Sequence, residues 1–453
     1  REQTFAKKMH RCRADTQIDV PGLVNGTRHR HQCFVLNRLC LFNGTILPAT
    51  AGGQAERRAK QLATTLTVRS MFGSHQTFKL GYLHPMDAAA PQSPAAKLVR
   101  LAVSRAGFSR CVPLVWVPTW AFSFAEHFIN SVVPVHELME AGLIDEHVLL
   151  RPDLNARPMG RYGFYQMLSA LSAERTAGLR DAAPKCTDRH ATREGGAPPW
   201  CVPRCYQKLV ICNFRSTFDA YAARMAPWSA AQRVARRLVP RPPPGFFRPA
   251  AARRVLLVNR TGTRFARSLH NLPQLLAACA HSEAPRTVCA AHEFGRRGVA
   301  ADVAAARRAD VLVGTHGAAL TYGFYMRRGA ALVEVRPYRF EGKWPDRYFR
   351  DLAALEQSLL YFQVTSGSAA LSIPRPKETV SVWDARDHHV HLPWRTMRSV
   401  LEAVRQVGSS LARYRQLVAS GRHVFVSQPS SAYLRSIGPS SVGAPGLGRV
   451  RTN

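Results

Sequence analysis

The feature that most constrains the fold is the segment Asp310–Pro337, which reads DVLVGTHGAALTYGFYMRRGAALVEVRP. An apolar run of strand length, Val311–Val313, leads into a turn of small residues, a helix start and a second apolar run, Ala331–Val335. Two such runs around a glycine-containing turn are typical of a parallel sheet, where the turn brings backbone amides and a helix N-terminus to a phosphate. The segment therefore predicts an α/β protein with an anion-binding turn.

The alternation of strand and helix extends upstream of this segment and predicts a parallel, doubly wound sheet. The predicted elements of the second half are Val255–Val258, Leu272–Cys279, Thr287–Ala291, Val299–Arg308, Val311–Val313 and Ala331–Val335. Those of the first half are Cys33–Phe42, Val112–Val117, Ala125–Ala141, Leu143–Arg151 and Lys208–Asn213.

The proline-rich run Pro240–Pro249 is the clearest linker, because proline favours an extended chain and lacks a backbone donor. At 453 residues the chain is too long for one hydrophobic core, so we predict a domain boundary there. We expect a basic stem at 1–30, a first α/β domain at 31–240, a second at 250–423 and a disordered tail at 424–453.

The formal charge of +34 favours anionic partners, and a nucleic-acid-binding protein is one interpretation of it. Most cations are arginines scattered among Ala, Pro and Gly, and aromatic residues do not alternate with them as in proteins that bind single strands. We therefore interpret the charge as mainly compositional and expect no nucleic-acid partner, while keeping that class as an alternative.

The 10 cysteines are an even and moderately high number, which is typical of a secretory protein with disulfide bonds. Local bridges are plausible between Cys33 and Cys40 and within the Cys186–Cys212 cluster. A zinc site is the less favoured alternative, because it needs two closely spaced ligand pairs and the cluster offers one.

Sequons at Asn25 and Asn43 predict N-glycosylation and support a lumenal location, whereas a third, at Asn259, follows a predicted strand too closely. No apolar run of the sequence is long enough to span a bilayer. Because the chain begins with Arg1 rather than Met, we expect an anchor upstream of it, and a single-pass type II membrane protein of the Golgi or endoplasmic reticulum.

Arginines follow the predicted strand Val255–Val258, with Arg260 in the adjoining turn and Arg264 and Arg267 shortly after it. A guanidinium group binds two diphosphate oxygens at once, so this pattern suits a nucleotide diphosphate. In so arginine-rich a chain, a solvated basic loop is the alternative for this segment alone.

The glycine-containing turn holds the next candidates. His316 lies between Gly314 and Gly317, which allow close backbone approach, at a strand end where open α/β sheets bind ligands. Thr321 offers a hydroxyl to cap or hydrogen-bond, and Glu334 either reaches a ribose or sugar hydroxyl or pairs with an arginine.

In the first half, the predicted helix has an apolar side and a more polar side that holds Glu126, His127 and Asn130. His127 is a candidate general base, because imidazole titrates near neutral pH. A surface histidine on an amphipathic helix is the alternative interpretation.

Several stretches repeat the pattern of a known family in combination. They are Asp310–Thr321 (DVLVGTHGAALT), Gly329–Pro337 (GAALVEVRP), Tyr348–Ala353 followed by Tyr361, and Asn259-Arg260 with Arg267, Asn271 and Gln274. Together these stretches, within residues 250–365, resemble glycosyltransferase family 61. That family includes plant xylosyl- and arabinosyltransferases and animal N-acetylglucosaminyltransferases that act on O-linked mannose or EGF domains.

The resemblance implies the GT-B architecture, with two Rossmann-like domains facing a cleft. It further implies an inverting transfer of a pentose such as xylose, or of N-acetylglucosamine, from a UDP-sugar to a glycan or glycoprotein hydroxyl, without a metal cofactor. The residues it assigns to the donor are Arg260, Arg267, Asn271, Gly317, Ala318, Leu320, Thr321 and Glu334. The catalytic candidates are His316, beside the donor, and His127, the base.

The sequence departs from the family pattern in places. Phe124–Pro134 is similar to the family segment H-x-x-x-D-x-x-x-P, but Asn130 and Ser131 occupy the place of the Asp. Arg328 stands where a proline is expected. The missing carboxylate keeps a second alternative open, a catalytically inactive relative that acts in glycan binding.

Overall fold

The computed structural model divides the chain by its internal contacts into two compact units, Arg1–Ala226 and Pro227–Asn453, and we describe each by itself. The structure describes residues 32–42, 45–48, 102–104, 107–116, 118, 123–152, 163–174, 176, 204–214, 225–241, 252–260, 267–283, 286–340, 347–373 and 386–437. The predicted stem at 1–30, both favoured sequons, Arg264 and most of the proline-rich linker lie outside these residues.

The first unit contains a mixed five-stranded sheet of order β2-β1-β5-β3-β4. The strands are β1 (Gln32–Phe42), β2 (Thr45–Pro48), β3 (Pro113–Trp116), β4 (Leu149–Pro152) and β5 (Arg204–Asn213). β1 runs antiparallel to β2 and β5, and β3 runs parallel to β4 and β5. β3 and β4 are buried along their whole length, although β4 is the last strand of this sheet.

Two disulfide bonds join β1 to β5 directly across their antiparallel register, Cys33–Cys212 and Cys40–Cys205. The predicted local bridge between Cys33 and Cys40 is therefore wrong. Both residues lie on one extended strand, where seven residues of rise at about 3.3 Å each keep them too far apart to bond.

The zinc alternative is also overturned for Cys205 and Cys212, because both sulfurs are committed to disulfides. A third bridge, Cys279–Cys289, lies in the second unit. No cysteine in the described ranges is free.

The long helix predicted at Ala125–Ala141 is present, but its middle is not α-helical. It consists of α1 (Phe124–His127), a π-helical segment (Phe128–Val132) and α2 (Val133–Glu140). The five π-helical residues are all buried. The first unit also contains α3 (Phe164–Ser169).

The second unit contains a six-stranded sheet in which every neighbouring pair is parallel, as the alternating pattern predicted. The strands are β6 (Arg253–Val258), β7 (Thr287–His292), β8 (Val311–Thr315), β9 (Ala330–Arg336), β10 (Leu359–Ser366) and β13 (Val424–Ser427), in the order β13-β10-β9-β8-β6-β7. A short antiparallel pair, β11 (Ser372–Ile373) and β12 (His389–Val390), stands apart from this sheet.

The helices of this unit alternate with the strands. They are α4 (Pro227–Leu238), α5 (Leu272–Glu283), α6 (Val299–Arg308), α7 (Tyr348–Ala354), α8 (Trp394–Val407), α9 (Leu411–Ala419) and α10 (Ser431–Ile437), with 3₁₀ helices at Ala318–Tyr325, Leu355–Gln357 and Ala369–Leu371. In place of the helix start predicted after Gly317, the chain forms the longest of these 3₁₀ helices.

One face of the parallel sheet is sealed by an apolar core. Alternate strand residues such as Val313, Val333 and Phe362 point into it, together with Leu275 of α5 and Val400 of α8. Because side chains alternate between the faces of a strand, the intervening residues lie on the opposite face. This alternation places the side chain of Glu334 on that second face.

Helix α4 belongs to the second unit although it precedes the predicted linker. The Glu356 carboxylate accepts hydrogen bonds from the backbone amides of Trp228 (2.7 Å) and Ser229 (3.2 Å), and so caps the start of the helix. Gln232 donates to the carbonyl oxygens of Phe324 and Met326 at 3.1 Å. These bonds explain why the contacts divide the chain before Pro227.

The segment predicted as a disordered tail begins instead with regular structure. β13 pairs with β10 from Val424 to Ser427, and α10 follows. Val424 and Val426 of this edge strand are exposed. Residues 438–453 lie outside the described ranges.

Candidate functional site

The order of the parallel strands locates the candidate site. Counted along the chain, the sheet has the order 2-1-3-4-5-6, so the direction of winding reverses between its first and third strands, β6 and β8. Open α/β sheets bind ligands at the carboxyl ends of the strands beside such a reversal. Arg260 follows β6, and His316 and Gly317 follow β8, so both predicted segments meet at this point.

Gly317 and Arg260 are in direct proximity. The backbone of Gly317 has φ +154°, a conformation that side chains rarely allow. A Cβ atom added there would lie 2.5 Å from Nη1 of Arg260 and 3.6 Å from Nη1 of Arg267. The glycine thus lets two guanidinium groups approach the backbone at the start of the 3₁₀ helix.

Arg260 is a half-buried cation that lacks a complete set of partners within the described residues. Its Nη1 atom is buried and has no hydrogen-bond partner in the part of the chain that the structure describes. Burial lowers the pKa of Arg260, and the charge of Asp387 partly offsets this effect. A guanidinium group nevertheless keeps its charge in a protein.

Asp387 is engaged with the other arginines of the site. It pairs with Nε of Arg267 at 3.3 Å and with Nε of Arg386 at 3.0 Å. Arg267 has a left-handed backbone, φ +73°, and its carbonyl oxygen accepts a hydrogen bond from the Thr315 hydroxyl. Three arginines therefore share one carboxylate, which leaves this end of the sheet positive and suited to an anion.

The 3₁₀ helix Ala318–Tyr325 begins directly after Gly317, beside these arginines. Ala318 and Ala319 are partly exposed, and the first internal bond of the helix runs from the Leu320 amide to the Gly317 carbonyl at 2.9 Å. Leu320, which the resemblance assigns to the donor, thus uses its amide within the 3₁₀ helix, and its side chain is buried. Thr321 is fully buried, and Oγ1 has no hydrogen-bond partner within the described residues.

Behind the glycine turn lies a buried polar network. Nδ1 of His316 is 2.5 Å from Oε1 of Glu334. The other oxygen, Oε2, accepts bonds from Nη2 of Arg336 at 3.0 Å and from the Tyr361 hydroxyl. Glu334 thus pairs with an arginine, the second of its two predicted roles, and is itself fully buried.

Burial and neighbouring charges shift the pKa values of Glu334 and His316 in this network. Burial alone would raise the pKa of Glu334, but the hydrogen bond from His316 and the charge of Arg336 hold it below its usual value. Burial lowers the pKa of His316, and Glu334 offsets only part of that effect. His316 is therefore a neutral imidazole that donates its Nδ1 proton to a carboxylate, which leaves Nε2 as an acceptor.

Asn271 has a structural position. Its side-chain amide donates to the carbonyl oxygen of Leu392 at 2.8 Å, and its oxygen accepts from the Leu392 amide at 3.0 Å. Both polar atoms of the side chain are therefore used to join α5 to the chain that enters α8. This arrangement does not fit the predicted donor contact.

In the first unit, the candidate His127 is the last residue of α1 and is 1% exposed. The neighbouring Glu126 is 8% exposed, and its Oε2 accepts a hydrogen bond from Nδ2 of Asn130 at 2.8 Å. Burial raises the pKa of Glu126 from 4.5 to about 7, although the Asn130 bond acts in the opposite direction. A carboxyl group with this pKa can exchange a proton near neutral pH.

The sequence did not single out Asp387, Arg336 or Glu126 as site residues. Asp387 reaches the site from more than a hundred residues away, so no local pattern connects it with Arg267. The i, i+4 spacing of Glu126 and Asn130 was the one available signal for their contact.

The described residues contain neither a metal-binding cluster nor a helix suited to a membrane. No cluster of three or more His, Cys, Asp or Glu side chains there has a geometry suited to a metal ion. In the same ranges, no helix combines the length and the apolar character needed to cross a membrane.

Comparison with known proteins supports the family assignment. Residues 124–333 match the model of a protein family described as Glycosyltransferase 61. The match starts well upstream of the region in which we recognised the resemblance, and it includes both Phe124–Pro134 and the turn with His316 and Gly317. No curated protein matches the chain.

Proposed function

Because this chain belongs to glycosyltransferase family 61, we propose that it transfers a sugar from a UDP-sugar to a hydroxyl group of a glycan or glycoprotein. The donor sugars that we propose are a pentose such as xylose, or N-acetylglucosamine. The transfer inverts the anomeric carbon: the bond from this carbon to the diphosphate oxygen breaks as the bond to the acceptor oxygen forms from the opposite face.

The observation that carries the proposal is the buried Nη1 atom of Arg260, which lies beside Gly317 and has no hydrogen-bond partner within the described residues. A buried cation with an unpaired donor is costly, and an anion with several oxygen atoms compensates for it. The phosphates of a nucleotide-sugar have the required charge and donor-acceptor pattern. The backbone freedom at Gly317 lets them approach the amides of Ala318 and Ala319.

We assign the stabilisation of the leaving diphosphate to Arg260, Arg267 and these amides, without a metal ion. Fixed donors aimed at the oxygens on which charge develops lower the barrier, because they need no reorganisation during the reaction. Burial keeps His316 neutral although Glu334 acts in the opposite direction, and we assign Nε2 of its ring to a hydroxyl of the donor sugar. In this assignment His316 orients the donor beside the reacting carbon.

We also propose that the chain adopts the GT-B organisation and acts in the Golgi or endoplasmic reticulum, tethered by an N-terminal anchor. The parallel six-stranded sheet is compatible with a nucleotide-binding domain of this type. The disulfide bonds support an oxidising compartment.

The first test is a panel of UDP-sugars, with release of UDP measured in the presence and absence of EDTA. The proposal requires UDP to bind and at least one donor to be consumed. Absence of any UDP affinity contradicts it, and loss of turnover with EDTA would remove the metal-free assignment alone. Binding without turnover would instead identify an inactive relative that acts in glycan binding.

The second test replaces Arg260 with methionine, which keeps the length of the side chain and removes the charge. We expect the affinity for UDP to fall roughly 10- to 100-fold, the value of one or two lost charge-assisted hydrogen bonds. The melting temperature should not fall, since the variant removes a buried guanidinium nitrogen that has no hydrogen-bond partner within the described residues.

The matched control is Arg308→Met, which makes the same change at an exposed arginine of the same unit. It should leave UDP affinity unchanged, so that charge loss in general is separated from the loss of Arg260. Unfolding of Arg260→Met, or equal weakening of UDP binding in both variants, would contradict the assignment of Arg260.

A further inference from the structure

The candidate anion site in the second unit contains a carboxylate that the proposed function does not explain. Asp387 is 8% exposed, and its charge acts on Arg260. A negative charge beside a site for an anion repels that anion, so by itself it would weaken binding. The position of this carboxylate among the arginines shows how it can favour binding instead.

Asp387 is held at the site by two paired chain segments, residues 267–271 and 387–392, which we call the clasp. The backbone amide of Val390 donates to the carbonyl oxygen of Ser268 at 2.9 Å, and the Ser268 hydroxyl lies 2.5 Å from Nδ1 of His389. The backbone pairing is parallel, so the first residues of the two segments lie at the same end of the clasp.

Those first residues are Arg267 and Asp387, and they form an ion pair. Oδ1 of Asp387 lies 3.3 Å from Nε of Arg267, and the same carboxylate accepts hydrogen bonds from Nε and Nη2 of Arg386 at 3.0 and 3.3 Å. Nη1 of Arg267 lies 3.6 Å from the place that a Cβ atom on Gly317 would occupy. Because a guanidinium group is a rigid plane, the contact at Nε orients the Nη1 atom that is turned toward Gly317.

Several positive charges converge on this point. Nη1 of Arg260 lies 2.5 Å from the same place beside Gly317, and the charge of Arg386 also acts on Arg260. Like charges this close repel each other, and long side chains relieve the repulsion by turning apart into solvent. The carboxylate of Asp387 offsets the repulsion and keeps the arginines together.

We propose that Asp387 is a positioning residue for the leaving diphosphate, and this inference rests on the proposed glycosyltransferase function. Asp387 holds Arg267 so that its Nη1 atom and that of Arg260 are directed at the same phosphate oxygens. Donors fixed in this way need no reorganisation when the ligand arrives. Asp387 itself acts through Arg267 and does not touch the ligand.

The alternative role for Asp387 is that of a simple competitor, which occupies the arginines until a diphosphate displaces it. The two roles predict opposite effects of removing the carboxylate. A competitor weakens the affinity for UDP, so its removal strengthens binding. A positioning residue strengthens the affinity for UDP, so its removal weakens binding although the site becomes more positive.

The test measures UDP binding to the full-length protein by calorimetry, in the wild type, Asp387→Asn, Arg267→Met and the double variant. We expect Asp387→Asn to weaken UDP binding roughly 10-fold, the value of one lost charge-assisted hydrogen bond. In the Arg267→Met background the same replacement should no longer weaken binding, because the residue through which Asp387 acts is absent. A residue with only a structural role would weaken binding equally in both backgrounds.

Glu402→Gln is the matched control for the change of charge. Glu402 is exposed and accepts a hydrogen bond from Nε of Arg405 at 2.9 Å. The charges of both residues act on Arg253, the first residue of β6, whereas Arg260 follows the other end of this strand. The control variant should bind UDP within about twofold of the wild type, since the opposite end of the sheet is unchanged.

A second variant, Asp387→Glu, keeps the charge and moves the carboxylate outward by one methylene group. It remains decisive if Asp387→Asn does not fold. We expect it to weaken UDP binding about threefold or more, because the orientation of Arg267 depends on where the carboxylate lies. Wild-type affinity in this variant would show that the charge alone matters and would overturn the positioning role.

The outcomes separate this inference from the function on which it rests. A wild type that binds UDP, with equal or tighter binding by Asp387→Asn, would overturn the role of Asp387 and leave the proposed function in place. Equal weakening with and without Arg267 would also overturn it. A wild type that does not bind UDP would overturn the proposed function itself.

Discussion

At Gly317 the backbone conformation and the space around the residue impose glycine independently. The φ of +154° is strained for a side chain, and a Cβ would overlap the guanidinium group of Arg260. Because Arg260 would have to move out of the position that we assign to the diphosphate, binding rather than folding is the sensitive property here.

We therefore predict that Gly317→Ala weakens UDP binding by roughly 10-fold or more, with an added strain of about 1–3 kcal/mol in the free energy of unfolding. Gly408→Ala is the matched control, since Gly408 also has a positive φ, +63°, but has open space around it. Both variants should lose similar stability in urea unfolding, and only Gly317→Ala should lose affinity in calorimetry. Equal affinity in the two variants would contradict the prediction.

Glu126 also predicts a pH dependence of stability. Its pKa is raised from 4.5 in the unfolded chain to about 7 in the fold, so the folded state holds its proton more tightly. Stability from this group is fully present below pH 4.5 and is lost as the pH rises through about 7. At 1.36 kcal/mol per pKa unit, the loss approaches about 3 kcal/mol.

Glu126→Gln should therefore unfold at nearly the same urea concentration as the wild type below pH 4.5, and should be more stable above pH 7 by up to about 3 kcal/mol. The difference between the two proteins at each pH isolates this group from all others. Equal stability of the two proteins at both pH values would contradict the raised pKa of the buried Glu126 carboxyl group.

The site residues that could be predicted from the sequence are those that directly follow an apolar strand. Arg260 and the turn with Gly317 follow apolar strands directly, and the structure brings them together. Asn271 and Leu320 were assigned to the ligand from the family pattern, but their polar atoms are used by the fold. A single sequence does not tell whether a polar group bonds to a ligand or to another part of the fold, because tertiary packing determines the partner.

At the scale of elements, strand β1 is attached to β5 by two disulfides as well as by backbone hydrogen bonds. The two bridges are nested: either of them alone closes a loop of more than 160 residues, with separations of 165 and 179. Once one bridge is formed, the second closes only the short loop between them. Their contributions to stability are therefore not independent.

Replacement of one bridge by alanines, in Cys40→Ala with Cys205→Ala, should lower the free energy of unfolding by about 3 kcal/mol, the value for a loop of roughly 15 residues. Removal of both bridges should cost about 5 kcal/mol more, because the long loop is then open as well. Urea unfolding of the single, the other single and the double variant measures these three values.

Alanine replacement of Cys279 and Cys289, which are ten residues apart, is the control for a local bridge in the second unit. It should leave the unfolding of the first unit unchanged. If the double removal in β1 and β5 cost no more than the sum of the two single removals, the nested-loop account would be contradicted.

Element positions were largely predictable, and element types less so. The strands predicted from Val255 to Val335 are all present, since apolar runs between turns specify strands of a parallel sheet. The π-helical segment was not predicted, because a single widened turn leaves the apolar spacing of an α-helix nearly unchanged. The pairing of Cys33 with Cys212 required the strand register, which depends on contacts across 179 residues.

At the scale of the whole molecule, all residues that we assign to the diphosphate lie in the second unit. We predict that a fragment of residues 227–453 binds UDP with an affinity within about 10-fold of the full chain, and that a fragment of residues 1–226 does not bind it. Calorimetry of the two fragments checks both parts. A folded fragment of residues 227–453 that fails to bind UDP while the full chain binds it would contradict the assignment.

The boundary of that fragment illustrates what whole-chain composition does not reveal. The proline-rich run predicted the break, but α4 precedes it and is capped by Glu356 of the second unit. The net charge of +34 likewise predicted an anionic partner, but it did not locate a binding site. The strand order and the three arginines near Asp387 are what locate the candidate anion site, at one end of one sheet.

The unsatisfied guanidinium group of Arg260 has a consequence after the reaction as well as before it. A pocket that stabilises the departing diphosphate also holds the spent nucleotide, so we expect product inhibition by UDP and slow clearance of the site between turnovers. Sustained flux would then depend on a neighbouring enzyme of a different class, a hydrolase that cleaves nucleoside diphosphates to monophosphates. The rate of this transferase in its compartment would be governed partly by how quickly its by-product is removed.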